Sequence, residues 1–151
     1  VNTVSCTYAI GRIEPDFFEK GRNGRFFRIP VYSNTKLALL LFTQELAERL
    51  QNQGITINAS DPGIVSTNMI TMQAWFDPLT DILFRPFIKT PAQGAATAIH
   101  LALSNEAKDK NGCCYANCKK RNVSERIRHH AQQKQLWDDT EILLRQKGIR
   151  F

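Results

Sequence analysis

Tyr32 and Lys36 stand four residues apart at the head of the run KLALLLFTQELAERL, so on a helix both side chains leave from one face. A phenol with the usual pKa of ~10 carries protons poorly at neutral pH, but an ammonium one turn away favours the phenolate. Such a pair is suited to proton exchange with a substrate oxygen. Ser5 ends the segment VNTVS and offers a hydroxyl that can hydrogen-bond a carbonyl oxygen. A third group, Asp61-Pro62-Gly63-Ile64-Val65-Ser66-Thr67, follows the β-branched segment ITINA. Proton transfer at an oxygen-bearing carbon is the chemistry these three segments could share.

The elements that must position them follow from periodicity. Residues 1–5 read as a strand, and a polar stretch punctuated by Gly11, Gly21 and Gly24 connects it to a helix that begins near Tyr32. Leu37, Leu40, Leu41, Ala47 and Leu50 give that helix its apolar face, and Gly54 stops it. Residues 55–59 then form a strand that DPG breaks. Residues 64–89 make a long apolar and aromatic connection. Thr90 caps a second helix with Pro91 in its first turn, residues 112–116 form a third strand, and residues 131–147 form a last helix before Gly148. The alternation is that of a parallel α/β unit, in which ligands gather beyond the carboxyl ends of the strands.

Tyr32-Ser-Asn-Thr-Lys36 as a YxxxK motif, and Pro62-Gly63 with Thr67 as a PGxxxT element, resemble the short-chain dehydrogenase/reductase family. The long loop before Tyr32 and the run after Lys36 are most similar to its retinol-dehydrogenase-like branch. The resemblance implies an α/β fold: the C-terminal half of a doubly wound parallel-sheet Rossmann-type domain, with three parallel strands and flanking helices. It further implies that residues 1–151 form a single partial domain without the cofactor-binding half, since the Gly-rich TGxxxGxG turn has no counterpart. Val1, reading as a strand already under way, predicts a truncated chain.

By the same resemblance Tyr32 is the general acid/base, and Lys36 assists it and holds the nicotinamide ribose. Ser5 orients the substrate, with Cys6 as the alternative if the register shifts by one. Pro62, Gly63, Val65 and Thr67 line the nicotinamide, and Asn34 has no assigned role. The implied reaction is hydride transfer between NADP, or NAD, and an alcohol or carbonyl. Residues 69–88 would form a substrate loop suited to a lipophilic compound. The alternative is an incomplete or noncatalytic half-module that associates with another chain.

Composition narrows the classes. A hydrophobic share of 42% and a charged share of 23% are ordinary for a globular domain. No apolar stretch reaches the ~20 residues of a membrane span, and a cytoplasmic location is expected. Lys and Arg exceed Asp and Glu by 20 to 14, yet no nucleic-acid recognition motif accompanies the excess. Cys113, Cys114 and Cys118 lack paired CxxC spacing, so no metal site is expected. His100, His129 and His130 are given no catalytic role, the last two for want of carboxylate partners. The Tyr32–Leu50 helix could also join two copies of the chain.

Overall fold

The computed structural model describes residues 1–15, 17–18, 28–65 and 88–149. Four strands form one sheet in the order β1 (Asn2–Thr3), β2 (Ala59–Asp61), β3 (Cys114–Ala116) and β4 (Lys119–Lys120). The first three run parallel and β4 is antiparallel to β3. The expectation of three parallel strands therefore gains a fourth, antiparallel member. It arises because Asn117 and Cys118 both take positive φ, 51° and 58°, and fold the chain back in a two-residue turn.

Helix α1 (Arg28–Arg49) starts a turn earlier than Tyr32, with Pro30 in its first turn, where a missing N–H breaks no helical bond. Leu37, Leu40 and Leu41 are fully buried against Val4, Tyr8, Ala59 and Cys114, which makes the α1–sheet interface the centre of the core. Gly54 lies in open space at φ +72°, a backbone shape that ends the turn after α1. Helix α2 (Pro91–Leu103) has the expected Thr90 cap, completed by Gln93 into a reciprocal capping box. A short helix α3 (Glu125–Arg128) precedes α4 (Gln133–Gln146). Helix α4 packs on α1 through Trp137, stacked on Phe42 at 5.3 Å, and through Asp138, which Arg49 meets at 3.5 Å.

The second strand is displaced from the expected residues 55–59 to 59–61. Residues 57 and 58 are fastened by side-chain amides beside two backbone bonds, from Gly112 N to the Ile57 carbonyl and from Asn2 N to the Asn58 carbonyl. Asn111 Oδ1 accepts from Ile57 N, Asn58 Oδ1 accepts from Cys113 N, and Asn58 Nδ2 donates to the Lys110 carbonyl. Regular pairing begins only at Ala59, and Asp61, expected to break the strand, is its buried last residue.

Candidate functional site

The first strand is also shorter than residues 1–5, because Ser5 leaves the ladder to cap a 3-10 helix, Cys6–Ile10. Ser5 Oγ accepts from Thr7 N at 3.5 Å, so its O–H hydrogen is still available for donation. Cys6, the alternative to Ser5, is exposed on the first residue of the 3-10 helix. Thr3 pairs with Ser60 in parallel register. Val4 N still donates to the Ser60 carbonyl at 2.9 Å, so Ser5 follows the last contact of β1 with β2, and Pro62 follows the end of β2.

Lys36 reaches the same edge from α1: its Nζ donates to the Thr3 carbonyl at 3.0 Å. That bond uses one of three ammonium hydrogens and fixes the charge at the end of β1. The ammonium also lies 5.5 Å from the centre of the Tyr32 ring, within cation–π range. Tyr32 is exposed, at 38%, despite the apolar ring it carries. Its phenol thus stands beside the ammonium and open to a ligand.

Two contacts set how α1 meets the Ser5 segment. Asn34 Oδ1 accepts from Arg12 N at 2.8 Å, which gives Asn34 a structural task that the sequence does not reveal. Gly11 passes so close that a Cβ there would stand 2.5 Å from the Ser33 carbonyl oxygen. Beyond β2, Asp61 Oδ1 accepts from Gly63 N at 3.0 Å while Oδ2 accepts from Arg121 Nη1 at 3.1 Å. Gly63, at φ +78°, turns the chain out of the sheet. Val65 then forms a parallel bridge with Lys89, whose N–H donates to the Ile64 carbonyl at 2.8 Å. Gly94 of α2 leaves room for Val65, since a Cβ on it would fall 2.5 Å from Val65 Cγ2.

Ser5 thus follows β1, Pro62, Gly63 and Val65 follow β2, and Lys36, with Tyr32 beside it, reaches the end of β1. Thr67 lies outside the described residues, as does most of the expected substrate loop. Arg121 and Gly94 are contributors that sequence reasoning missed, because each acts through a contact with a distant segment, and Asp61, named in the sequence only as part of the bend, gains its hold on Gly63 and Arg121.

The remaining titratable groups are placed less usefully for catalysis. Burial, and then the neighbouring Cys114, push the Tyr8 phenol up to about 12. Burial likewise lifts the Cys114 thiol to about 11. Both stay protonated in the core. His100 lies against Tyr115, with ring centres 6.2 Å apart. His129 does have a carboxylate neighbour, contrary to expectation: Nε2 is 3.4 Å from Glu125 Oε2, one helical turn away on α3. Both side chains are largely exposed, so water screens the pair. Burial, then Arg126, lowers the pKa of His130. Among the described residues, no three His, Cys, Asp or Glu side chains are grouped to hold a metal, and no helix is long and apolar enough to cross a membrane.

The chain matches the short chain dehydrogenase family profile over residues 20–75. It is 38% identical to retinol dehydrogenase 12 of Mus musculus and 36% identical to that of Homo sapiens. Each match covers 100% of this chain and 46% of the relative, so the chain spans about half the length of these proteins. It is also 34% identical, over 80% of its length and 29% of the relative's, to the WW domain-containing oxidoreductase of Drosophila melanogaster. In three dimensions it resembles the crystal structure of an uncharacterized protein from Mycobacterium Paratuberculosis, with a TM-score of 0.65 and 22% identity. That likeness covers 95% of this chain and 48% of the other, and is a likeness of fold.

Proposed function

This chain belongs to the short-chain dehydrogenase family, and on that premise we propose that it is the catalytic portion of a nicotinamide-dependent oxidoreductase that interconverts an alcohol and a carbonyl compound. The observation that supports the reading is the Lys36 ammonium, bound to the Thr3 carbonyl at the end of β1, two residues before Ser5, and 5.5 Å from the Tyr32 ring. Tyr32 gives its hydroxyl proton to the substrate oxygen in reduction and takes it back in oxidation. The Lys36 ammonium, tethered to Thr3 and 5.5 Å from the Tyr32 ring, has two further N–H donors for ribose hydroxyls. Ser5 donates its O–H to the same substrate oxygen and fixes its direction. A bound nicotinamide would supply or accept the hydride.

The residues present suit one end of such a cofactor. The bend at Pro62–Val65 is partly exposed, with Gly63 and Ile64 open to solvent, and Thr67 follows in sequence as a hydroxyl donor. No Gly-rich turn in the 151 residues offers a pyrophosphate cradle. In this reading residues 1–151 are a partial domain, and a further portion of the protein binds the rest of the dinucleotide. NADP is the preferred form, with NAD as the alternative. The retinol dehydrogenases among the relatives make a lipophilic alcohol or aldehyde the first substrate class to test. The four free cysteines accord with a reducing compartment, here the cytoplasm. Helix α4 occupies the Phe42–Arg49 side of α1, so a second copy joined through α1 would use another face.

Tyr32→Phe tests the reading in the full-length protein. Turnover should fall at least ~100-fold, the scale of a lost general acid, with an unchanged circular dichroism spectrum. Wild-type kcat in the variant would remove the proton-transfer role.

A second reading rests on β1. Its outer edge has no strand partner among the described residues, which favours a half-module that pairs with another chain. Titrating the full-length protein with NADPH and with NADH separates the two: a thermal shift at millimolar cofactor supports the catalytic portion, and none supports the half-module.

A further inference from the structure

Lys89 lies between two segments that its backbone alone would not join. Its Nζ donates to the Pro62 carbonyl at 2.8 Å and to Asn117 Oδ1 at 2.6 Å. Pro62 opens the bend beyond β2, whereas Asn117 is the first residue of the turn between β3 and β4. The ammonium is also pressed over the bend itself, since a Cβ on Gly63 would stand 3.1 Å from Nζ and 3.2 Å from Cε. The Lys89 main chain meanwhile pairs with the bend through the Ile64 carbonyl and the Val65 bridge. One residue therefore holds both the start and the end of the Pro62–Val65 bend, and ties its start to the sheet's hairpin.

Resting on the function proposed above, we infer that Lys89 is a positioning residue for the nicotinamide-facing bend. Chemistry suits the task. Pro62 has no N–H, so its carbonyl is the only polar main-chain group with which it can be anchored. A charged donor makes a stronger anchor than a neutral one. Asp61 secures the bend through Gly63 N, and Lys89 secures it through the Pro62 carbonyl. With both in place the backbone that would face the nicotinamide is set before any ligand arrives, and the ordering cost of binding falls. Asn117 matters for the same reason: its side chain accepts the second hydrogen bond, and its left-handed backbone, at φ 51°, aims that side chain back toward Lys89.

The test compares Lys89→Met, Lys89→Arg and Asn117→Gly in the full-length protein. Asn117→Gly keeps the left-handed turn and deletes only the acceptor. Without cofactor, amide hydrogen exchange in a peptide spanning residues 62–65 should speed about tenfold in Lys89→Met, while exchange in α1 stays as in the wild type. In parallel, half-saturation for NADP(H), read by fluorescence titration, should rise about tenfold in Lys89→Met and several-fold in Asn117→Gly. Lys89→Arg, which keeps the charge and both donors, should recover most of the affinity. KM for the alcohol or carbonyl substrate should remain within twofold. Unchanged exchange at residues 62–65 in Lys89→Met overturns the inference, and so does faster exchange with unchanged cofactor affinity. Failure of the functional reading looks different: the wild type itself would then show no response to cofactor, and the inference would fall with it.

Discussion

Gly11→Ala should damage this protein although the backbone at that position suits alanine. Gly11 has φ −66° and ψ 159°, an extended conformation open to any residue. By that criterion alone alanine would stabilise, by about 0.4–1 kcal/mol, through the unfolded chain. The space contradicts it. The new Cβ would lie 2.5 Å from the Ser33 oxygen, 2.9 Å from Ser33 C and 2.9 Å from Leu37 Cβ. Carbon and oxygen settle at about 3.3–3.6 Å even in a favourable C–H···O contact, so the Gly11 segment must retreat by ~1 Å. Ser33 cannot yield in its place, because its carbonyl belongs to the α1 backbone and Leu37 beneath it is fully buried. Overpacking of this kind costs about 1–3 kcal/mol, and the expected net loss is about 1–2 kcal/mol. For a chain of this size that is a fall in Tm of about 2–8 °C.

The retreat would also stretch the Arg12–Asn34 hydrogen bond and move Ser5 relative to Tyr32. Misplacement of reacting groups by ~1 Å can cost ~100-fold, so kcat should drop between about tenfold and 100-fold. Urea denaturation and steady-state kinetics of the full-length protein measure the two effects. Gly54→Ala is the control: its Cβ meets nothing, its φ of +72° costs about 1–2 kcal/mol, and turnover should be untouched. A Gly11→Ala protein with a raised urea midpoint and normal kcat would refute the close approach of the Ser5 segment to α1.

Stability should decline as pH rises above about 9. The Cys114 thiol moves from 9.0 to about 11 on folding and the Tyr8 phenol from 10.0 to about 12, so the folded state retains protons that the unfolded chain releases. Their contribution is complete below pH 9 and is lost between about 9 and 12; Tm measured against pH should fall less steeply above pH 10 in Tyr8→Phe. The Asp61–Arg121 pair should be asymmetric: Arg121→Met, which strands a carboxylate only 2% exposed, should cost about 2–3 kcal/mol in urea, against about 1 kcal/mol for Asp61→Asn, whose freed guanidinium is 45% exposed and can hydrate. Equal losses would show that the guanidinium does little for the buried carboxylate.

The elements that sequence reading located are those built from neighbouring residues. Leu37, Leu40 and Leu41 recur at helical spacing, Thr90 and Pro91 open a helix, and Gly54 and Gly148 follow helix ends. Each is a local preference that tertiary packing leaves in place. The displaced second strand shows where that logic fails. ITINA has the β-branched composition of a strand, yet part of its hydrogen bonding runs through the Asn58 and Asn111 side chains, to the backbone of Lys110 and Cys113 and from that of Ile57, across 52 to 55 residues. Composition records the preference for extended backbone but not which groups will satisfy it. The β3–β4 hairpin was hidden for another reason. Its turn requires positive φ at two successive residues, and the second is Cys118, a residue that gives no such signal where glycine would.

The candidate site divides along the same line. Tyr32 and Lys36 are legible because one helical turn connects them, and Pro62-Gly63 because a bend after a strand announces itself. What holds those groups in register is spread over the chain: Thr3 for Lys36, Asn34 for Arg12, Arg121 for Asp61, Gly94 for Val65. These contacts span from 22 to 60 positions, and several involve residues that would pass for ordinary surface polar groups. The consequence is directional. Substituting Tyr32 tests the chemistry, whereas substituting Gly11, Gly94 or Arg121 tests the geometry on which it depends, and the second set should lower activity together with stability while the first lowers activity alone.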